Sequence, residues 1–300
     1  MKSNLYLGGA QLGMRYGLAQ KFLNHTAYDP VPVLKLAAQN NIEGIDLAQA
    51  YGHSESLAAA YLKNCTDWSP KVISKIDPMY SKADFKEAFT KVKNAVFKFG
   101  KPFDVIMLHN ADHISDWHMF LELFESLREA MLVKEFGTSV YTPEEFALAL
   151  NCPELKHIQF PMNLFDTRVY DTGAISLAEA RGIKLYIRSI FLQGLLLMPG
   201  HIASQVKPEA KPAIDALHSF CRDQHQSPKQ MAINFVRALV PSASLVIGFD
   251  NPFQFAEVLK ITQSPIKPFE MDVGHFKEIG KMVNDPRNWI TNQQPEKVMH

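Results

Sequence analysis

The sequence predicts an α/β fold of the (β/α)8 TIM barrel class with two extra helices. Eight short runs rich in Val, Ile, Leu and Phe alternate with segments of helical periodicity. These runs are mostly apolar rather than alternating, which is typical of parallel strands buried on both faces. Eight such units in 300 residues favour a closed barrel over an open doubly wound sheet. No linker rich in Pro, Gly or Ser divides the chain, so we expect one domain over residues 1–300 with a polar tail from about residue 285.

The elements follow one another in a regular order. The predicted strands are Leu5–Leu7, Glu43–Ile45, Val72–Ser74, Val105–Leu108, Val133–Phe136, His157–Phe160, Lys184–Ile187 and Leu245–Ile247. The clearest helix is predicted over Ser81–Phe99, because apolar residues recur at i, i+3, i+4 and i+7. Other helices should begin at a capping side chain followed by a proline, at Asp29-Pro30, Thr142-Pro143, Ser227-Pro228 and Asn251-Pro252. The extra helices are predicted near Lys211–Asp223, after a long loop from Phe191 to Pro212, and near Asp272–Val283.

Composition excludes several classes of function. The net charge is zero, so no basic surface predicts binding to nucleic acid or to an anionic membrane. No stretch approaches the roughly 18 apolar residues that a membrane span needs. The three cysteines form no C-x-x-C pair, which suits a reducing compartment. We therefore expect a cytoplasmic protein. The glycines of GGAQLGMRYG also lack the spacing of a Rossmann dinucleotide-binding motif.

Four polar residues close or follow the early strands. Asp46, Lys75 and His109 end strands two, three and four, and Tyr51 follows in the loop after Asp46. Because the carboxyl ends of barrel strands face the active-site mouth, we expect the four side chains to meet there. Lys75 beside Asp46 should stay charged and lower the pKa of Tyr51 from its usual value of about 10. Tyr51 would then serve as an acid, and His109 would hold a substrate oxygen in line with it.

Other candidate residues have competing interpretations. His109, His113 and His118 lack the fixed helical spacing of a zinc motif, so we expect no metal site. Arg15 and Arg188 could bind an anionic or polyhydroxylated substrate or form structural ion pairs. Several aromatic residues after strands or in the tail could line an apolar pocket or simply pack: Tyr80, Phe165, Phe191 and Trp289.

The order Asp46, Tyr51, Lys75, His109, with intervals of 5, 24 and 34 residues, resembles the catalytic tetrad of the aldo-keto reductases. The surrounding words GGAQLG, IDLAQAYGHSE, ISK and IMLHN are similar to that family, as are GTS, QFPMN, SIFLQGLL and IGFDNPFQFAE on the later strands. The resemblance implies reduction of an aldehyde or ketone, possibly sugar-derived, to an alcohol, or the reverse oxidation. It also implies a small-molecule carbonyl substrate and a monomer or weak homo-oligomer.

The resemblance further implies an NAD(P) cofactor. The residues that it assigns to cofactor binding are Gly9, Ala10, Ser139, Gln159, Arg188, Ser189, Phe191, Gln193, Gly194, Ile247, Gly248, Asp250, Gln254 and Glu257. The family favours NADP, used as NADPH. NAD is possible, because Asp250 lies where many relatives meet the 2′-phosphate and a carboxylate there should accept a ribose hydroxyl instead.

Departures from the family pattern keep other functions open. Val140, Arg188 and Val258 replace residues that are common in the family. One alternative is a cofactor-binding, redox-sensing subunit with little turnover. Another is an aldolase in which Lys75 forms a Schiff base, although Tyr51 and the cofactor words argue against it.

Overall fold

The computed structural model describes residues 4–18, 29–77, 81–111, 114–286 and 289. Eight parallel strands close into a barrel in sequence order, and the last strand pairs with the first. The strands are β1 (Leu5–Gly8), β2 (Gly44–Asp46), β3 (Lys71–Ile76), β4 (Phe103–Leu108), β5 (Val133–Ser139), β6 (Leu155–Pro161), β7 (Lys184–Arg188) and β8 (Ser244–Ile247). The predicted barrel and its eight strands are confirmed.

The barrel interior is a packed core. A cluster of inward-pointing side chains fills it, consisting of Tyr6, Ile73, Val105, Met107, Tyr186 and Val246. A larger core lies outside the strands, beneath the helices. Gly44 makes room for the Tyr6 ring, because a Cβ at this position would overlap that ring. With both faces of the strands covered, polar side chains reach solvent at the strand ends.

Helices surround the barrel. The α-helices are Ala10–Gly13, Val31–Gln39, Ser54–Lys63, Phe85–Phe99, Trp117–Glu129, Pro143–Leu150, Arg168–Asp171, Ala174–Ala180, Gly200–Val206, Ala210–Asp223, Pro228–Leu239, Pro252–Gln263 and Val273–Gly280. Shorter 3-10 helices span Lys82–Asp84, Ile114–Asp116 and Leu192–Leu197. Within the described ranges, no helix has both the length and the apolar character needed to cross a membrane.

Helix starts follow the predicted capping pattern. Thr142, Ser227 and Asn251 each accept a hydrogen bond from a backbone N–H in the first turn of their helices. Asp29 Oδ1 likewise accepts from the Val31 N–H at 3.0 Å. That helix begins at Val31, so Pro30 lies at the N-cap rather than at the first helical position.

Both extra helices are present, as Ala210–Asp223 and Val273–Gly280. The predicted long loop from Phe191 to Pro212 is wrong in part, because it contains Leu192–Leu197 and Gly200–Val206. Gln193 and Gly194 have positive φ angles of 55° and 94°, which interrupt the first of these helices and conceal its periodicity. Of the positions singled out in the sequence, Tyr80, His113 and the tail beyond Pro286, apart from Trp289, lie outside the described residues.

Candidate active site

A cavity of about 640 Å³ opens at the carboxyl ends of the strands. Asp46 is the last residue of β2, Lys75 lies near the end of β3, and His109 directly follows β4. The Asp46, Tyr51 and His109 side chains line the cavity. Lys75 is buried behind them, with no exposed surface. The structure therefore brings together the four residues that the sequence singled out.

An ion pair forms the base of this site. Lys75 Nζ lies 2.7 Å from both carboxylate oxygens of Asp46 and 3.1 Å from the carbonyl oxygen of Leu47. Gln159 Nε2 donates a further hydrogen bond of 2.8 Å to Asp46 Oδ1. Burial lowers the pKa of Lys75, and the charge and hydrogen bonds of Asp46 oppose that shift. Asp46 therefore accepts hydrogen bonds from one charged donor, Lys75, and from one neutral donor, Gln159, and both donors are buried.

Tyr51 and His109 face each other above the ion pair. Their ring centroids are 5.4 Å apart and the rings are nearly perpendicular, at 86°. Lys75 Nζ lies 5.2 Å from the centre of the Tyr51 ring, within range of a cation–π contact. The two polar side chains thus approach one small region of the cavity from the segments that follow β2 and β4.

The pKa of Tyr51 differs from the sequence expectation. Burial raises it, the charge of Asp46 raises it further, and Arg188 opposes both. The expectation that Lys75 lowers this pKa is wrong for this structure, because the Asp46 carboxylate compensates the Lys75 charge at close range. A raised pKa keeps the phenol protonated at neutral pH, so Tyr51 is held as a proton donor.

His109 is held in its neutral form. Burial, followed by the charges of Lys75 and Arg188, lowers its pKa to about 3. A neutral imidazole has one nitrogen that donates a hydrogen bond and one that accepts. His109 is therefore suited to orient a substrate oxygen at neutral pH without a change of charge.

A glycine controls the position of Tyr51. The backbone carbonyl of Tyr51 lies against Gly13, where a Cβ would overlap it. The His53 N–H donates to the Gly13 carbonyl at 3.4 Å, and the Tyr51 N–H donates to the Ala48 carbonyl at 3.0 Å. The loop after β1 and the loop after β2 are thus packed backbone to backbone.

Arg188, at the end of β7, occupies the cavity beside this group. Its guanidinium donates to Ser139 Oγ at 3.4 Å, to Ser189 Oγ at 3.3 Å and to the Val140 carbonyl at 3.2 Å. The guanidinium carbon lies 4.0 Å from the centre of the Tyr141 ring. No carboxylate among the described residues forms an ion pair with Arg188. Two roles were predicted for Arg188, substrate binding and a structural ion pair. The ion pair is not formed within the described residues.

The same cavity continues toward β8. Every residue that the sequence assigned to the cofactor lines it, namely Gly9, Ala10, Ser139, Gln159, Arg188, Ser189, Phe191, Gln193, Gly194, Ile247, Gly248, Asp250, Gln254 and Glu257. Their binding role stays a prediction. Asn251 Oδ1 caps the helix Pro252–Gln263 by accepting from the Gln254 N–H at 2.9 Å, and Gln254 also lines the cavity.

Sequence reasoning missed several residues of the cavity wall. Gln11, Tyr16, Tyr141 and Lys229 also line it. Lys229, in the first turn of the helix Pro228–Leu239, pairs with Glu257 of the helix Pro252–Gln263. Tyr141 follows the end of β5 by two residues, so its position after a strand could have indicated a place in the cavity wall. Lys229 lies in the first turn of a helix, and nothing in the sequence indicated that it reaches the cavity.

Other predicted candidates have structural roles. Phe165 and Trp289 are buried with 1% and 4% of their surface exposed and do not line the cavity, so packing accounts for them. Arg15 is exposed and lies outside the lining. Among the positions that the structure describes, no group of three or more His, Cys, Asp or Glu side chains has the arrangement of a metal site.

The profile of the Aldo/keto reductase family matches residues 4–275, which is most of the chain. The chain belongs to the aldo-keto reductase family. Membership supports carbonyl reduction or alcohol oxidation, and aldo-keto reductases generally use NAD(P)H. No curated protein sequence matches the chain significantly.

Solved structures share the aldo-keto reductase fold with this chain. One is the glycerol dehydrogenase from Gluconobacter oxydans, at 17% identity, with a TM-score of 0.68 over 99% of this chain and 95% of that one. Another is the holo form of an aldo-keto reductase from Bacillus halodurans, at 16% identity, with a TM-score of 0.64 over 94% and 92% of the two chains. At these identities the likeness shows the fold alone.

Proposed function

We propose that this aldo-keto reductase catalyses NAD(P)H-dependent reduction of an aldehyde or ketone to an alcohol, or the reverse oxidation. The observation that carries the proposal is the perpendicular pair of Tyr51 and His109 in the cavity wall, with the Lys75–Asp46 ion pair directly behind it. This arrangement offers a protonated phenol and a neutral imidazole to one substrate oxygen.

Each of the four residues has a distinct part in proton transfer. Tyr51 donates its phenolic proton to the developing alkoxide. His109 orients the carbonyl oxygen by a hydrogen bond from its neutral ring. Lys75, 5.2 Å from the centre of the Tyr51 ring, positions that ring through a cation–π contact, while Asp46 compensates its charge. Asp46 fixes the Lys75 ammonium through its two hydrogen bonds.

The residues of the cavity fit a nicotinamide dinucleotide. When bound, this cofactor supplies or accepts the hydride. Gly248 and Gly194 offer backbone without a side chain, and Ser139 and Gln159 offer hydrogen-bonding groups near the reacting oxygen. The N-terminus of the helix Pro252–Gln263 supplies positive potential for phosphate at the far end. We assign the nicotinamide end to the Tyr51 side of the cavity on this basis.

The preference between NADPH and NADH depends on the far end of the cavity. Asp250 receives Gln254 Nε2 at 3.4 Å and adds negative charge there, which favours a ribose hydroxyl over a phosphate. Lys229 supplies a positive charge at the same end, although Glu257 pairs with it. NADPH stays the prediction, and initial rates measured with each reduced cofactor at equal concentration test it. A large preference for NADH would overturn it.

Replacing the proposed acid tests the function. Tyr51→Phe should lower the rate of carbonyl reduction by roughly 10²–10⁴, because a positioned general acid contributes that much. Cofactor binding, measured by fluorescence titration, should persist. Tyr170→Phe, at an exposed tyrosine outside the cavity, is the matched control and should leave turnover unchanged. Near-normal turnover of Tyr51→Phe would refute the role of Tyr51, and cofactor binding without reduction of any carbonyl would favour a redox-sensing subunit.

A further inference from the structure

The segment after β7 has a strained backbone. Ser189, Leu192 and Gln193 have positive φ angles of 58°, 50° and 55°. A residue with a Cβ occupies this left-handed region only at a cost in free energy, which the surrounding structure must compensate. Ser189 and Gln193 both line the cavity. Contacts from outside the segment are therefore needed to keep its backbone in the conformation that faces the cavity.

The side-chain amide of Asn163 supplies one such contact. Hydrogen bonding between β6 and β7 continues beyond β6 to the Met162 N–H, which donates to the Arg188 carbonyl at 3.2 Å. The chain then turns away, and Asn163 Nδ2 donates to the next carbonyl, that of Ser189, at 3.3 Å. The Leu192 N–H donates to the same carbonyl at 2.9 Å. The Asn163 amide thus extends the ladder by one bond, at the first residue of the segment whose φ is positive.

The Asn163 side chain is itself held firmly. It has no exposed surface. Its Oδ1 accepts from the Phe165 N–H at 2.9 Å, and its backbone exchanges two hydrogen bonds with Asp166, of 3.1 and 3.0 Å. Phe165 packs against Gly280 in the second extra helix, where a Cβ would overlap the Phe165 side chain. The Nδ2 donor therefore has a fixed position from which to hold Ser189.

Ser189 connects this contact to the cavity. Its Oγ accepts a hydrogen bond from the Arg188 guanidinium at 3.3 Å, and both residues line the cavity. If the backbone of Ser189 relaxed to a negative φ, its side chain and the segment after it would change direction. The apparent affinity for a ligand of this wall is reduced by the fraction of molecules that have relaxed.

We propose that Asn163 is a positioning residue for the nicotinamide cofactor, which holds the backbone of Ser189 in its left-handed conformation before the cofactor binds. The inference rests on the proposed function, because it requires that the cavity binds NAD(P)H. Asn163 does not line the cavity, so it acts through Ser189 and not by contact with the cofactor. Its replacement should therefore weaken cofactor binding without slowing the chemical step.

Hydrogen exchange tests the structural step in the cofactor-free protein. The reporter is the amide of Leu192, whose N–H donates to the Ser189 carbonyl. Asn163→Ala should speed its exchange by roughly threefold to tenfold, which corresponds to the net contribution of one hydrogen bond. Asn234→Ala is the matched control, because Asn234 is also buried, donates a side-chain hydrogen bond to Gln226 and lies outside the cavity lining. The control should leave this amide unchanged, and an unchanged amide in Asn163→Ala would overturn the proposal.

Cofactor binding tests the functional step. Fluorescence titration with NADPH, or with NADH if it binds more tightly, should give a dissociation constant roughly threefold to tenfold higher for Asn163→Ala than for the wild type. In the reduction of para-nitrobenzaldehyde, KM for the cofactor should rise and kcat should not fall. A fall in kcat with an unchanged KM would place Asn163 in the chemical step and refute the proposal. Asn234→Ala should lower the melting temperature and leave both constants unchanged.

Two backgrounds at position 189 isolate the backbone conformation. Ser189→Gly and Ser189→Ala both remove the hydroxyl, but only glycine adopts a positive φ without a steric cost. Adding Asn163→Ala should weaken cofactor binding by roughly threefold to tenfold in the Ser189→Ala background and by less than about twofold in the Ser189→Gly background. An equal loss in the two backgrounds would show that Asn163 does not act through the φ of Ser189.

Failure of the proposed function gives a different result from failure of this inference. If the wild type binds neither NADPH nor NADH, the proposed function and its positioning residue both fail. If the wild type binds the cofactor and reduces a carbonyl in a Tyr51-dependent manner, while Asn163→Ala binds the cofactor equally tightly, the proposed function stands and only the role of Asn163 is refuted.

Discussion

Removing Lys75 should destabilise the protein far more than its single ion pair suggests. In Lys75→Met, the Asp46 carboxylate loses two hydrogen bonds of 2.7 Å and the one cation that pairs with it among the described residues, while its side chain stays 4% exposed. Gln159 Nε2, at 2.8 Å, remains but carries no charge. Breaking one partner of a buried pair costs about 3–5 kcal/mol. Against a typical free energy of unfolding of about 5–15 kcal/mol, this is a large fraction.

A double-mutant cycle separates the pair from its surroundings. Asp46→Leu combined with Lys75→Met replaces the buried ions by apolar groups, which is often neutral or stabilising. The double variant also leaves Gln159 Nε2 without its acceptor, at a cost of about 1–3 kcal/mol. The two effects nearly offset each other. The double variant should therefore be more stable than Lys75→Met alone, by roughly 3 kcal/mol.

Urea unfolding at equilibrium, followed by circular dichroism, measures these free energies. Lys211→Met is the matched control, because Lys211 pairs with Asp215 one helical turn away on an exposed surface. Its loss should cost at most about 0.5 kcal/mol. The reasoning is refuted if Lys75→Met costs no more than this control, or if the double variant is as unstable as the sum of the two single variants.

Three other measurements test parts of the site and fold. Gly13→Ala should lower turnover by at least about tenfold while the protein still binds cofactor, because the added Cβ displaces the Tyr51 carbonyl; unchanged turnover would contradict the packing argument. The rate of reduction should show no inflection near the usual histidine pKa of about 6.5, since burial holds the pKa of His109 at about 3; an inflection that disappears in His109→Gln would contradict this. Burial lowers the pKa of His157 to about 4, so the unfolded chain binds the extra proton and stability should fall as pH drops from about 6.5 to about 4, by at most about 1.4 kcal/mol per pH unit. His157→Gln should flatten that slope, measured by urea unfolding at each pH, whereas the exposed His201→Gln should keep it; equal slopes in all three proteins would refute the linkage.

The barrel and the four central residues of the site could be predicted because one geometric rule covers them. Parallel strands in a closed barrel end at the same face, so residues that end successive apolar runs must converge. Asp46, Lys75 and His109 satisfied this rule in the sequence, and the structure brings them together with Tyr51. To predict that these residues lie close together, only the order of the strands was needed. The alternation of apolar runs with helical segments reveals that order.

The electrostatics of the site could not be predicted in the same way. The sequence shows that Lys75 and Tyr51 converge, but the pKa of Tyr51 depends on distances and burial. Both carboxylate oxygens of Asp46 bind Lys75 and compensate its positive charge. Burial then has the largest effect on the pKa of Tyr51 and raises it. Loop residues such as Tyr16 and Lys229 were missed for a related reason, since backbone turns rather than periodicity bring them to the cavity.

Charge is distributed unevenly over the cavity, and this distribution constrains how the site works. At its base, Lys75 is compensated by Asp46, so the pair fixes geometry and contributes little net field. At the far end, Lys229 is compensated by Glu257. Arg188 lies between them with contacts to neutral oxygens and an aromatic ring. A cation beside Tyr51 stabilises the negative charge that forms there during the reaction, whether it lies on an alkoxide or on a phenolate. Proton transfer therefore depends on this guanidinium, and Arg188→Gln should raise the pKa of Tyr51 further, because the Arg188 charge opposes that rise.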